Sequence, residues 1–135
     1  MKVVLDTNVL VSGLLTAGGA CGQIIELMLD GVFQPCFDGR ILEEYARVLH
    51  RPELAIRSED AEEILGTIRF FGEPIAALPF PSGLPDPSDL PFLEVAGAAQ
   101  AVLVTGNRRH FPKKTCRGVT VVTPRELLDI IRMSA

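Results

Sequence analysis

The 135-residue chain has no tryptophan, one tyrosine and only two histidines, His50 and His110. With so few histidines and no Cys-x-x-Cys pair, a structural zinc site has little support. The three cysteines, Cys21, Cys36 and Cys116, are odd in number and widely spaced, which reads as reduced thiols in a cytoplasmic protein rather than a disulfide framework. No Gly-x-Gly-x-x-Gly, P-loop or Gly-x-Ser-x-Gly occurs, and no Ser–His–Asp set can be assembled, so dinucleotide binding, nucleoside triphosphate hydrolysis and serine hydrolysis are left without residues. No apolar stretch approaches the ~20 residues of a membrane span. The first apolar run is interrupted by Asp6 and Asn8, unlike a signal peptide. Net positive charge is missing too. A formal charge of −4 argues against wrapping nucleic acid by bulk charge. It does not exclude nucleic acid as a substrate, because a carboxylate metal site itself lowers the total. The alternating basic and aromatic residues of a single-strand stacking surface are also absent.

What the chain does have is aliphatic residue. Hydrophobic types make up 47% of it, chiefly Leu, Ile, Val and Ala, enough for the core of one domain spanning residues 1–135. Val3–Leu5 reads as a buried strand, and Val9–Leu15 as a short helix broken at Ala17-Gly18-Gly19. A second helix runs from about Cys21 to Leu29 and ends at Asp30-Gly31. Val32–Phe37 is strand-like, with Pro35 arguing for a short or edge strand. Asp38 caps a helix over Gly39–Leu49, and Ser58-Glu59-Asp60 opens another that ends at Gly72. Pro74–Leu78 suggests a short strand, and Pro79–Ser88, with four prolines, a loop. A helix over Asp89–Gln100, a buried strand Val102–Val104, a loop or helical turn over Thr105–Pro112 and a strand Val119–Val122 follow. Thr123-Pro124-Arg125-Glu126 is a capping box with proline at the first helical position, opening a last helix to about Arg132. Strands alternating with helices predict an α/β fold with a parallel sheet covered on both faces.

In such sheets ligands bind beyond the carboxyl ends of the strands. Asp6 follows the first strand and Asn107 follows Val102–Val104, so both leave the sheet at one edge. Asp6 alone reads equally well as an N-cap or as a metal ligand. In the helix after Asp38, at about 100° per residue, Glu44 borders the apolar face of Ile41, Leu42, Tyr45, Val48 and Leu49, while Glu43 faces water. Asp89 stands over Phe92, Leu93 and Ala96 at i+3, i+4 and i+7, on the core side of its helix's first turn. A capping role for Asp89 is compatible with a site role; Asp86, in the proline loop, is freer to face solvent. Asp6, Glu44, Asp89 and Asn107 would then form one oxygen-rich cluster. Two unit charges ~4 Å apart repel by about 4 kcal/mol at an effective dielectric of ~20, a conflict that a hard ion such as Mg²⁺ or Mn²⁺ removes. Such an ion suits phosphodiester hydrolysis.

Four segments carry a family resemblance: Met1–Ser12 with Asp6-Thr7-Asn8, Leu42–Leu49 with Glu43-Glu44, Asp86–Ala96 with Asp89, and Leu103–Pro112 with Thr105-Gly106-Asn107. Together they resemble the successive motifs of the PIN domain family, in the branch of bacterial and archaeal toxin–antitoxin toxins similar to VapC. The resemblance covers nearly the whole chain. It implies a three-layer α/β/α fold with a parallel sheet of about five strands, Mg²⁺- or Mn²⁺-dependent cleavage of RNA, a homodimer, and inhibition by a small antitoxin. It also implies Asp6, Glu44 and Asp89 as acidic metal ligands, with Thr105 and Asn107 completing the catalytic set. Asn107 departs from the Asp of many PIN domains: it keeps an oxygen but loses a charge, which weakens the case for a second metal.

Other residues read more plainly. Arg108, Arg109, His110, Lys113, Lys114 and Arg117 form the one dense basic stretch, equally a guide for a phosphate backbone and a solvated loop. His110 reads as a turn residue, Arg51 as a helix C-terminal charge, and Thr7 and Asn8 as groups that satisfy the turn and the next helix start. Two alternatives to an endoribonuclease remain. One is a catalytically weak or inactive PIN-fold binding or regulatory protein, motivated by Asn107. The other is a phosphatase using Asp6 as nucleophile, disfavoured because Asp6-Thr7-Asn8 lacks the second acid of an Asp-x-Asp pair.

Overall fold

The structure is a computed structural model that describes residues 1–80 and 83–134. Five strands, β1 (Lys2–Leu5), β2 (Gln34–Phe37), β3 (Glu73–Pro74), β4 (Val102–Val104) and β5 (Val121–Val122), pair in parallel in the order β3-β2-β1-β4-β5. Six helices join them: α1 (Thr7–Leu15), α2 (Ala20–Leu29), α3 (Gly39–Leu49), α4 (Ser58–Phe71), α5 (Leu90–Ala99) and α6 (Pro124–Ser134). Helix α2 packs against α1 and α6, and α3 packs against α4 and α5, giving a three-layer α/β/α fold around the sheet. The aliphatic strand β1 is central, and Val3, Val4 and Leu5 are buried because both faces of the sheet are covered.

Local chemistry explains the elements. Asp38 caps α3, its carboxylate accepting from the Ile41 N–H at 3.0 Å. The capping box of α6 forms as the sequence predicts. The Thr123 N–H donates to Glu126 at 2.9 Å, and the Glu126 N–H donates back to Thr123 Oγ1 at 3.2 Å. Gly22 permits the sharp turn between α1 and α2, whose axes differ by 101°, because a Cβ there would lie 2.1 Å from the Ala17 carbonyl oxygen.

Several bounds and one strand position differ from expectation: β2 and β5 are shorter than the runs Val32–Phe37 and Val119–Val122 in which they lie. Helix α1 opens at Thr7, so Thr7 and Asn8 belong to its first turn. The strand expected over Pro74–Leu78 is only Glu73–Pro74, because the ladder ends where the Ile75 N–H reaches the Phe37 carbonyl. Pro35 lies in an interior strand, between β1 and β3. The Gln34 N–H donates to Met1 at 2.9 Å, and successive residues alternate sides, so the missing N–H of Pro35 faces β3, whose pairing begins only at Cys36. The proline-rich segment 79–88 is a loop ending in a helical turn, Pro87–Asp89, with residues 81 and 82 outside the described residues.

Candidate functional site

Asp6 leaves the carboxyl end of β1, and its backbone N–H is still in the sheet, donating to the Val104 carbonyl at 2.9 Å. It occupies the N-cap position of α1 but makes no side-chain capping bond. Its carboxylate instead accepts from the Thr105 hydroxyl at 2.8 Å and from the Asn8 amide at 3.4 Å. It is only 5% exposed. Burial raises its pKa above the ordinary carboxylate value; the Thr105 and Asn8 hydrogen bonds oppose this and the neighbouring Glu44 charge adds to it. The cap and site readings coexist: the Asn8 backbone amide of the first helical turn lies beside the Asp6 carboxylate, which also accepts from Thr105 on β4's side.

Thr105 leaves β4 at the same edge, fully buried, and is itself pinned from two sides. Its backbone N–H donates to Val122, and its hydroxyl oxygen accepts from the Asn107 N–H at 3.0 Å. The Asn8 side chain bridges across, its Oδ1 accepting from the Gly106 N–H at 3.1 Å. Thr7 donates its hydroxyl to the Glu44 carboxylate. Tyr45, buried on α3, donates its phenol to the Leu5 carbonyl, immediately before Asp6, and contacts Phe92 with ring centroids 6.3 Å apart. Thr7 and Asn8 thus do more than start a helix: they link α1 to α3 and to the β4 loop.

Asp89 starts α5 without a side-chain capping bond. It is buried, and its carboxylate meets His110 Nδ1 at 2.9 Å. Desolvation, reinforced by the Asp6 charge and partly offset by His110, pushes its pKa up to about 6. His110 holds the turn position expected and also meets a site acid. It closes a short helical turn, Arg108–His110, and returns to the acid of another element. Asp86, expected to face solvent, accepts from the Ser88 N–H and hydroxyl at 2.9 and 2.7 Å, and these bonds lower its pKa. One ligand atom each from Asp86, Asp89 and His110 lie within 4.8 Å of one another.

A cleft of about 580 Å³ gathers these groups, with Asp6, Thr7, Asn8, Asp89 and His110 on its polar side. Val11, Leu15, Val48 and Leu54 form an apolar wall, and Arg51, expected only as a helix-end charge, also lines it. Glu44 reaches the same region through Thr7 and through its charge on Asp6, while Glu43 is exposed. Of the predicted site residues, Asp6 and Asp89 line the cleft, whereas Glu44, Thr105 and Asn107 do not; Glu44 and Thr105 reach it through their bonds to Thr7 and Asp6. The Asn107 backbone holds Thr105, but its side chain does not line the cleft. Of the basic stretch, Arg108 pairs with Glu126 on α6, and Arg109 and Lys113 line a separate cavity of about 750 Å³ beside β5. Nothing local in Arg-His-Phe-Pro signals that His110 meets Asp89, 21 positions away.

A family model described as PIN domain matches residues 2–109. The chain belongs to the PIN domain family. All the groups assembled above except His110 lie within the matched span. Among solved structures, this PIN domain is similar to a chain of VapBC2 from Rickettsia felis, described as bound to a DNA fragment from their promoter. The TM-score is 0.58 and the identity 17%, covering 91% of this chain and 98% of that one. At that identity the likeness establishes the fold. No curated protein matches the sequence.

Proposed function

We propose that this PIN domain is a metal-dependent endoribonuclease, the toxin of a toxin–antitoxin pair. The observation that carries the reading is Asp6: a buried carboxylate at the end of the central strand, held by neutral donors only, in a cleft shared with a second acid of raised pKa. Among the described residues no lysine or arginine pairs with Asp6, Glu44 or Asp89. Asp6 feels the Glu44 charge and Asp89 feels the Asp6 charge, with one imidazole beside them; carboxylates so placed fit a divalent ion in both charge and donor chemistry. Asp6, Glu44 and Asp89 would hold Mg²⁺ or Mn²⁺, which when bound supplies Lewis-acid activation of water and of the scissile phosphate.

The protein's own groups set the geometry. Thr105 and the Asn8 side chain both donate to one Asp6 oxygen, Oδ2. Thr7 orients Glu44, and Tyr45 ties the strand end to α3. Arg51, at the cleft wall, is placed to neutralise a phosphate of the RNA. The reading extends to a cytoplasmic homodimer inhibited by a small antitoxin; the similarity to a chain of a VapBC2 assembly supports that partner class.

The test is cleavage of single-stranded RNA by purified protein, with EDTA and with Mg²⁺ or Mn²⁺ restored. Cleavage that requires the ion supports the reading. Tight ion binding with no cleavage of any RNA would favour a non-catalytic PIN-fold binding protein, and Asn107, whose side chain stands outside the cleft, is the residue that motivates that outcome.

A further inference from the structure

The acids alone do not account for one part of the cleft. His110 reaches Asp89 from a different element, and both side chains line the space that Asp6 faces. Asn107, which takes the position where a fourth acid is expected, does not line the cleft. The residue actually delivered to the site by the β4 loop is an imidazole.

Resting on the metal-dependent reading above, we infer that His110 is a direct metal ligand through Nδ1, paired with Asp89, so that the site is a mixed oxygen–nitrogen site selective for Mn²⁺ over Mg²⁺. The spacing fits. Two donor atoms 2.9 Å apart, each ~2.1 Å from one ion, subtend roughly 85–90° at it, the angle between neighbouring ligands of an octahedron. Asp86 offers a third donor within the same 4.8 Å cluster, from the opposite side of the turn that carries Asp89. A hydrogen bond joins His110 Nδ1 to Asp89 at 2.9 Å, and an ion bound between the two atoms would take its place, with the imidazole N–H on Nε2. His110 is half-exposed, so the ion has an open approach. A nitrogen donor favours transition ions over Mg²⁺, which prefers oxygen and holds its water tightly.

The test does not need activity. Mn²⁺ is titrated calorimetrically into EDTA-stripped protein, and the complex is examined by electron spin-echo spectroscopy for ¹⁴N coupling from a coordinated imidazole. The chain has only two histidines, and His50 bonds to the Ala46 carbonyl and pairs with Glu62, apart from the cleft. The expected result is ¹⁴N coupling in the wild type that persists in His50→Ala. His110→Ala is expected to abolish it, to weaken Mn²⁺ binding by about tenfold or more, and to narrow the Mn²⁺/Mg²⁺ preference. If His110→Ala does not fold, the His50→Ala spectrum decides alone, since the remaining imidazole is His110. Tight Mn²⁺ binding without ¹⁴N coupling overturns the assignment of His110 but leaves the metal-dependent reading standing. Coupling lost in His50→Ala also overturns the assignment. Absence of Mn²⁺ binding to the wild type overturns both.

Discussion

Two acids in this domain are buried to nearly the same degree and have opposite surroundings. Glu94, on α5, is 6% exposed and Asp6 is 5% exposed. Glu94 has a full complement of partners: the Arg40 guanidinium at 2.6 Å and the Phe80 N–H at 2.8 Å. Arg40 also binds Asp38, the cap of α3, so the network ties α5, α3 and the start of the proline loop together. Asp6 is held by a hydroxyl and by the Asn8 amides, with the like charge of Glu44 beside it and a smaller opposing influence from His110. Burial therefore does not separate a site acid from a structural one; the presence of a cation does. Glu94 is a finished ion pair, whereas among the described residues Asp6 and Glu44 have no lysine or arginine bonded to them and Asp89 has only the His110 imidazole.

The sharpest way to break the contrast is to neutralise each acid in turn. Asp6→Asn is expected to lower ion-dependent RNA cleavage by about 10³-fold or more, on the order of 4 kcal/mol of barrier. Its folding stability without metal is expected to be unchanged or slightly higher, because a repelling charge is gone. Cleavage within tenfold of the wild type, in a preparation shown free of other nucleases, would remove Asp6 from the chemistry. Glu94→Ala should behave in the opposite sense. It strips Arg40 and the Phe80 N–H of a buried partner and is expected to cost about 2 kcal/mol in urea denaturation, with cleavage per folded molecule retained. A stability loss below ~0.5 kcal/mol would mean that the pair is no stronger than an ordinary surface salt bridge.

The same contrast has a pH signature. Asp89 has a folded-state pKa of about 6, above its unfolded value, so folding favours the protonated form. Its contribution to stability is fully present below the unfolded carboxylate pKa and is lost as pH rises through about 6. Metal-free wild type, compared with Asp89→Asn, is therefore expected to lose thermal stability between pH 4 and 6.5, roughly the span of that shift. Added Mn²⁺ should restore stability at pH 7 and do little at pH 4.5. A pH profile parallel to that of the variant would show that Asp89 is not strained by its surroundings.

Much of this was written in the sequence because it rests on local chemistry. The aliphatic run before Asp6, the caps at Asp38 and Thr123, and the border position of Glu44 on an amphipathic helix depend on neighbours within a few residues, and the structure has them as read. The interior position of β2, between β1 and β3, was not legible. Pro35 reads as a warning against an interior strand unless the register against β3 is known. His110 and Arg51 keep the turn and helix-end places read for them, but their presence in the cleft, and the meeting of His110 with Asp89, depend on other elements that only the folded chain brings together. Asn107 misled in the other direction. Its place in the Thr-Gly-Asn motif made it a candidate ligand, yet its backbone is what the site uses.

The smallest effect concerns Tyr45, which no motif singled out. Its phenol is buried, with its pKa raised well above the ordinary value by desolvation and by the nearby Asp6 and Glu44 charges, and it donates to the carbonyl of Leu5. Tyr45→Phe keeps the ring and its contact with Phe92 but leaves that carbonyl without the phenol. The expected cost is about 1 kcal/mol of folding stability. If the hydrogen bond also positions Asp6, cleavage should fall a few-fold through the turnover rate, with little change in the RNA concentration needed for half-maximal rate. An equal stability loss with unchanged turnover would make Tyr45 a core residue only, and would place the whole positioning of Asp6 on the sheet and on the Thr105 hydroxyl.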